Sequence, residues 1–381
     1  VNISAGSIEG VEEIRMAYWA GSVCGRLVMS GGSIECAEDL ITNNEKDSGL
    51  SIIELSGGRL DVGGSLEFDR AGSKVDCIMR MEGTAEVNVV EDVRIGYGNG
   101  EETVANFEMD GGELIVGGNL SLGEGPGNGV FKVGGGVIDI AGQSGAGGNL
   151  VLGRYSENGE AGTGVVDIEA GSMQVGGNVE LAVMAEGHQG ASAEMKISGG
   201  VLDVAGALRF NGSGSAGAGF ASARLEGGTV YAGELIMYPN ADGSGPVIDI
   251  SEGEMVVSAD VNGYDAMERI RSYIQQGYIQ AHGGEGTVAV DYDEAVERIR
   301  VTGSKEPDID GDGIVNLADY ARLADGLFSE SGQSGFDDAA DVYDDDVIDS
   351  RDLGVMAGQW LDYKPVICRE QMVYIPPVDD A

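Results

Sequence analysis

Residues 308–319 near the C-terminal end of the chain, DIDGDGIVNLAD, carry its most specific chemical pattern. Oxygen-bearing side chains stand at positions 1, 3, 5, 9 and 12 of this stretch, and glycine stands at position 6, where the chain must turn sharply. Calcium prefers several oxygen ligands, and a loop with this spacing can wrap them around one ion. The pattern therefore predicts a calcium-binding loop. Its ligands would be the side chains of Asp308, Asp310, Asp312, Asn316 and Asp319 and the backbone carbonyl of Ile314.

A second loop of the same kind begins thirty-three residues later, in ADVYDDDVIDSRDL. It departs from the first at two positions, because Tyr343 replaces the oxygen ligand of position 3 and Asp346 replaces the glycine of position 6. Aspartate tolerates the backbone conformation of that turn better than most residues do. We therefore expect a weaker site, or one completed by water. The ligands would be Asp341, Asp345, Asp349 and Asp352, with the backbone carbonyl of Val347.

An apolar helical pattern follows each loop. Leu317, Leu323, Ala324 and Leu327 would form the buried face of the first helix, and Leu353, Met356, Ala357, Trp360 and Leu361 that of the second. Two EF-hand-like loop–helix units, with Asp at position 12 and no helix before the first loop, resemble type I dockerins over residues 308–361. The resemblance implies calcium as the cofactor and a cohesin-like partner.

In dockerins, loop positions 10 and 11 carry partner recognition. The matching residues are Leu317 and Ala318 in the first unit and Ser350 and Arg351 in the second. The two pairs differ, which argues against cohesin binding in two equivalent orientations. Calcium could also serve only to fold the module, as metals commonly do in small domains with thin cores.

Other catalytic or metal-binding patterns are weak in this chain. The two histidines, His188 and His282, are expected to be surface or turn residues, and the cysteines match no zinc motif or disulfide framework. Their pairing stays open: they are Cys24, Cys36, Cys77 and Cys368. The strands carry Glu, Asn, Ser and Asp singly, without the clustered carboxylates and basic residue that a polysaccharide lyase needs. The sequence therefore predicts no enzyme.

The rest of the chain is dominated by a glycine-marked repeat. Its 66 glycines include one marker before each copy, and the copies follow one another at intervals of 24 to 35 residues. The markers are residues 6, 32, 58, 83, 112, 136, 171, 200, 228 and 253. A period of this length made only of short strands predicts a stacked repeat fold.

Within one repeat, apolar Leu114, Val116, Leu120 and Leu122 alternate with polar or outward positions. This is the pattern of strands that bury one face, and each repeat offers three strands of about four residues. We expect a mainly β protein, a right-handed parallel β-solenoid of about ten three-strand turns and a length of roughly 50 Å at about 4.8 Å per turn. An antiparallel sandwich with regular turns is the alternative. The repeats also resemble the glycine-rich β-helical passengers of bacterial adhesins and autotransporters.

Four segments are expected. Residues 1–260 would form the solenoid, and residues 261–306 a small α/β cap whose helix presents Met267, Ile270 and Ile274 before Gly277 ends it. The dockerin-like module would span residues 307–362. The tail, residues 363–381, is too apolar for a free end. It would fold back on its own module, or add as a strand to the N-terminal turn of a neighbouring copy.

Charge and composition limit the function. The 65 acidic and 22 basic residues give a net charge of −43, which excludes sustained binding to nucleic acid. The chain starts at Val1 and contains no long apolar run, which fits an exported extracellular or cell-surface protein with its signal peptide removed and no membrane span. We expect a structural subunit of a surface layer or filament that assembles end to end. The alternative is a dockerin-tethered protein that binds or degrades polysaccharide.

Overall fold

The structure, a computed structural model, describes residues 1–17, 24–43, 49–68, 77–97, 104–141, 147–155, 161–183, 191–211, 219–240, 244–259, 264–305, 307, 309, 315, 317–343 and 345–359. The chain forms two compact units, Val1–Ser304 and Lys305–Ala381. The predicted tail and Cys368 lie outside the described residues, as does His188. Among the described residues, Cys24, Cys36 and Cys77 form no disulfide with one another.

Strands make up most of the first unit. In chain order they are β1 (Asn2–Ile3), β2 (Ser7–Val11), β3 (Ile14–Met16), β4 (Cys24–Cys36), β5 (Leu40–Thr42), β6 (Leu50–Val62), β7 (Leu66–Phe68), β8 (Cys77–Val89), β9 (Val93–Ile95), β10 (Val104–Val116), β11 (Leu120–Glu124), β12 (Asn128–Ile140), β13 (Leu150–Arg154), β14 (Thr163–Ile168), β15 (Ser172–Val175), β16 (Val179–Val183), β17 (Ser192–Ile197), β18 (Val201–Phe210), β19 (Phe220–Leu225), β20 (Thr229–Met237), β21 (Val247–Ile250), β22 (Glu254–Ser258), β23 (Ile279–Ala281), β24 (Thr287–Asp293) and β25 (Arg298–Ser304). The helix α1 (Tyr264–Gln275) precedes β23. A short 3-10 turn at His282–Gly284 follows it, so His282 is a turn residue.

Strands of successive turns pair in parallel, from β1 with β4 to β21 with β23. The parallel β-solenoid is therefore confirmed, and the antiparallel sandwich is wrong. The solenoid has about eight turns rather than about ten. The end turns are incomplete: β1 has two residues, and among the described residues no strand lies between β22 and β23.

Each turn has three faces. The first face consists of β1, β14, β17, β19, β21, β23 and the first halves of the long strands β4, β6, β8, β10 and β12. The second face consists of β2, β15, β22, the second halves of those long strands and the first halves of β18 and β20. The third face consists of β3, β5, β7, β9, β11, β13, β16 and the second halves of β18 and β20.

The marker glycines make the corner between the first two faces. Eight of them, from Gly32 to Gly228, have φ between 64° and 92°, a region that only glycine adopts readily. The corner also leaves no room for a side chain, since a Cβ on Gly136 would lie 2.7 Å from the carbonyl oxygen of Gly112. In β4, β6, β8, β10 and β12 the strand continues through this corner, so the prediction of three separate short strands is wrong there.

The interior is a continuous apolar column. Leu114, Val116, Leu120 and Leu122 are at most 1% exposed, which confirms the predicted alternation. Aromatic rings stack along this column, with the ring centroids of Phe107 and Phe131 4.7 Å apart. Outward positions of the third face are less exposed than the alternation predicts, and even Glu67 is only 5% exposed.

A ladder of side-chain amides lines the corner between the second and third faces. The Oδ1 atom of Asn119 accepts hydrogen bonds from the backbone N–H and side-chain amide of Asn149, at 3.0 and 3.1 Å. Asp92 accepts the same two hydrogen bonds from Asn119. The Oδ1 atoms of Asn149 and Asn178 accept the backbone N–H groups of Asn178 and Ala207. Each side chain thus satisfies a backbone donor of the next turn, which parallel pairing leaves open at a corner.

The two ends of the solenoid differ. At the C-terminal end β25 pairs antiparallel with β22, and β24 pairs antiparallel with β25. The predicted helix is present as α1, whose Ile270 is 1% exposed in the core and which ends before Gly277, at φ 75°. At the N-terminal end β1, β2 and β3 pair with β4 and β5 on one side.

Candidate metal centre

The second unit contains two helices, α2 (Leu317–Gly326) and α3 (Ser350–Gln359), and a small apolar core. The core consists of Ile309, Val315, Leu323, Ala340, Val342, Ile348 and Met356. In each helix the buried face starts with the aspartate of loop position 12 and continues four residues later. Asp319 and Asp352 are fully buried, as are Leu323 and Met356. This spacing places each carboxylate and its apolar neighbour on the same helix face.

The predicted helix faces are correct only in part. Leu323 and Met356 are buried, and Leu327 packs against the core. Leu317 is 71% exposed and Leu353 is 37% exposed. Ala324 and Ala357 are exposed as well. The buried aspartates, and not the predicted apolar residues, define the side of each helix that faces the core. Trp360 and Leu361 lie outside the described residues.

Two carboxylates organise the second loop through backbone hydrogen bonds. The carboxylate of Asp341 accepts from the backbone N–H groups of Asp345 and Asp346, at 3.2 and 2.9 Å. The carboxylate of Asp352 accepts from the backbone N–H groups of Tyr343 and Asp349, at 2.8 and 2.7 Å. The first and last residues of the loop therefore hold the chain between them in a closed turn.

Burial changes the electrostatics of this loop. Asp341 is 2% exposed, and burial raises the pKa of its carboxyl. The backbone hydrogen bonds from Asp345 and Asp346 oppose this rise in pKa, and the negative charge of Asp352 adds to it. The Oδ1 atom of Asp345 is buried and has no hydrogen-bond partner among the described residues. Buried carboxylates with spare acceptor capacity suit a divalent cation.

Arg351 and Tyr343 work against strong metal binding in this loop. Arg351 forms ion pairs with Asp345 and Asp349, so a cationic side chain already contacts two predicted ligands. The backbone N–H of Arg351 lowers the pKa of Asp349, and so does the hydrogen-bonded guanidinium of the same residue. Tyr343 is 44% exposed, with its ring 5.4 Å from the Arg351 guanidinium carbon. Asp346 takes φ 63° at the turn position where the first loop has glycine.

The structure brings only part of the predicted ligand set together. Asp341, Asp345, Asp349 and Asp352 belong to one loop, and Val347 forms a β-bridge with Glu330. Among the described residues no three acidic, cysteine or histidine side chains converge as a metal site. Asp319 is described and buried. The remaining first-loop ligands, Asp308, Asp310, Asp312, Ile314 and Asn316, lie outside the described residues.

A charged cluster on the third face was not predicted. The guanidinium of Arg94 pairs with Glu67 at 3.0 Å and with Asp92 at 2.9 Å. Burial raises the pKa of nearby Glu124, although the positive charges of Arg154 and Arg94 lower it. Aligning the third strands of the repeats places Glu67 and Arg94 at equivalent positions on neighbouring turns. That alignment could have revealed the pair.

Comparison with known proteins adds no family. No protein-family model, no curated protein and no solved structure matches the chain. None of the helices in the described part of the chain is long and apolar enough to cross a membrane.

Proposed function

We propose that this protein is an exported structural protein whose right-handed β-solenoid is the subunit of an extracellular surface layer or filament. Subunits join end to end, with the open N-terminal turn of one copy receiving a strand from its neighbour. The difference between the two ends of the solenoid is the observation that carries this proposal. One end is closed by the antiparallel strand β25, whereas β1, β2 and β3 have strand partners on one side only among the described residues.

The surface of the N-terminal turn supports such a contact. A groove of about 420 Å³ lies there, lined by Val1, Ile8, Val11, Ile14 and neighbouring side chains. Val1 is 75% exposed and Ile8 is 38% exposed. A strand edge with apolar side chains pairs readily with further β-structure.

The side faces support a passive, solvated exterior. Charged residues on successive turns pair across the strand ladders, as in Arg80 with Glu108 at 2.9 Å and Lys196 with Glu226 at 2.8 Å. These partners are more than a third exposed, so each pair contributes little to stability. Their role is to keep the long faces soluble, which favours contact through the ends.

Calcium is the proposed cofactor of the second unit. The resemblance of residues 308–361 to dockerins supports it, together with the buried carboxylates of Asp341 and Asp352 and the spare oxygen of Asp345. The first loop would bind more tightly, since Arg351 competes at the second. A cohesin-like partner would attach the solenoid to a larger assembly.

Negative-stain electron microscopy of the purified full chain tests end-to-end assembly. We expect linear assemblies of solenoids in calcium buffer, and a charge substitution in the N-terminal groove, Ile8→Glu, should shorten them. Phe220→Glu, at a 78% exposed side position, is the matched control and should leave them intact. Monodisperse single particles from the unsubstituted chain, with calcium and with EDTA, would contradict the assembly and leave the alternative of a tethered polysaccharide-binding protein.

A further inference from the structure

A cleft lies on the outward side of the second face, where the solenoid meets the hairpin formed by β24 and β25. Its volume is about 600 Å³, within the range of ligand-binding pockets. A smaller cavity of about 130 Å³ adjoins it, since Tyr231, Val256 and Arg298 line both. All of the lining residues belong to the described part of the chain.

One row of side chains forms the floor of the cleft. The strand register places five residues opposite one another on β18, β20, β22, β25 and β24: Asp203, Tyr231, Val256, Arg300 and Asp291. Residues that face each other across strands project to the same side of a sheet. The flanking residues Val230 and Met255 are buried in the solenoid core, so this row points outward.

The polar groups around the floor are held in place. The guanidinium carbon of Arg298 lies 5.4 Å from the centre of the Tyr231 ring. The Nε of Arg300 lies 3.2 Å from the carboxylate of Glu254, which also accepts a hydrogen bond from Thr229 at 3.3 Å. Tyr292, which also lines the cleft, is partly buried against the core. Such fixed positions reduce the entropy lost when a ligand binds.

The charges of the cleft exclude anionic ligands. Four carboxylates line it, from Glu254, Asp291, Asp293 and Glu294, against two guanidinium groups. One of these, that of Arg300, is paired with Glu254. An anion would therefore meet net repulsion.

The backbone of the cleft excludes strand addition by a peptide. Its floor is the face of a sheet, where the backbone N–H and C=O groups are engaged in the ladder between β20, β22 and β25. Recognition must then use side chains.

The aromatic ring and the polar side chains of the cleft match the groups of a sugar chain. A pyranose ring has an apolar C–H face that packs on a tyrosine ring and hydroxyl groups at its edge that bond to carboxylates and guanidinium groups. We propose that this cleft binds a neutral oligosaccharide, with Tyr231 as the ring that packs on the sugar and Glu254, Asp291 and Arg298 as its polar contacts. The cleft does not include the N-terminal turn, so it is distinct from the open strand edge on which the proposed assembly depends.

Titration calorimetry on the full chain in calcium buffer tests the site. The probes are β-1,4-linked hexasaccharides of glucose, xylose and mannose, with trigalacturonic acid as the anionic comparison. We expect at least one neutral hexasaccharide to bind with a Kd of about 1 mM or tighter, and Tyr231→Ala to weaken it about tenfold. Tyr231→Phe should bind nearly as well as the unsubstituted chain, since it keeps the ring.

Two controls separate the site from general effects on folding. Phe220→Ala removes a more exposed ring from the first face and should leave binding unchanged. If Tyr231→Ala fails to fold, as judged by circular dichroism, the exposed Arg298→Ala replaces it and should weaken binding about threefold. No binding of any neutral probe, tighter binding of trigalacturonic acid, or full affinity in the folded cleft variant would each overturn the proposal.

Discussion

Burial distinguishes three aspartates from the other aspartates that the structure describes. Among the described residues, the buried aspartates are Asp319, Asp341 and Asp352. They stand at position 12 of the first predicted calcium loop and at positions 1 and 12 of the second. A buried carboxylate is costly unless a charge or several hydrogen bonds compensate it. The spacing of oxygen donors predicts these positions, and their burial supports a structural use of them.

Glu124 gives a prediction for the pH dependence of stability. Burial raises the pKa of its carboxyl above the ordinary value. An acid whose pKa is raised by folding contributes stability below its ordinary pKa and loses it as pH rises through the folded-state pKa. We therefore expect the free energy of unfolding of the unsubstituted chain, relative to Glu124→Gln, to fall as pH rises from 4 to 8. Chemical unfolding of both chains across this range measures the difference.

Glu113→Gln is the control for this experiment, because Glu113 is exposed on the second face. Its difference from the unsubstituted chain should stay nearly constant with pH. If the difference in free energy of unfolding for Glu124→Gln also stays constant with pH, the positive charges of Arg94 and Arg154 fully offset the effect of burial on the pKa of Glu124.

At the scale of the strands, the corner glycines and their neighbours form natural test pairs. Gly136 has φ 92°, whereas its neighbour Gly135 is outside the left-handed region and a Cβ there would meet the nearest atom at 3.2 Å. We expect Gly136→Ala to lower the free energy of unfolding of the solenoid by about 2 kcal/mol or more, from backbone strain and crowding. Gly135→Ala should cost clearly less. Urea unfolding followed by far-UV circular dichroism compares the two, and equal losses would contradict the corner's need for glycine.

The repeat pattern predicts the architecture well because its signals are local. Alternating apolar residues and regularly spaced glycines identify the parallel turns, the corner and the core positions such as Leu114. The continuity of β10 through Gly112 is not visible in the sequence, because glycine can bend a strand without ending it. The burial of Glu67 is not visible either. It depends on what covers the outward side of the third face, and an alternation pattern contains no such information.

The helix faces of the second unit show a different limit of sequence analysis. Apolar spacing alone places Leu317 inward, whereas it is exposed and Asp319 is buried. In a small module with a thin core, carboxylates that hold a loop compete with apolar residues for the interior. Hydrophobic periodicity does not account for that competition.

At the scale of the whole molecule, the two units should respond differently to calcium. Differential scanning calorimetry of the full chain should show two transitions, and EDTA should lower the temperature of the one that belongs to Lys305–Ala381 while leaving the solenoid transition in place. Hydrogen exchange of peptides within 317–359 assigns that transition. Asp352→Ala should mimic EDTA, since it removes the acceptor of two backbone N–H groups.

Asp338→Ala is the control for calcium dependence, because its side chain is 87% exposed. It should keep the full response to EDTA. Identical melting profiles with calcium and with EDTA would contradict a calcium-stabilised module, whatever the state of assembly.

The amide ladder of Asn119, Asn149 and Asn178 has a consequence for how such a chain can change its size during evolution. The Oδ1 atoms of Asn119, Asn149 and Asn178 each accept a backbone N–H from the next turn. Removing residues 120–149 would therefore place Asn119 where Asn149 now lies and keep the later links aligned. Gains or losses of whole turns therefore preserve the amide ladder, whereas the loss of a few residues inside a turn would break it. Related chains should therefore differ by whole turns of the solenoid.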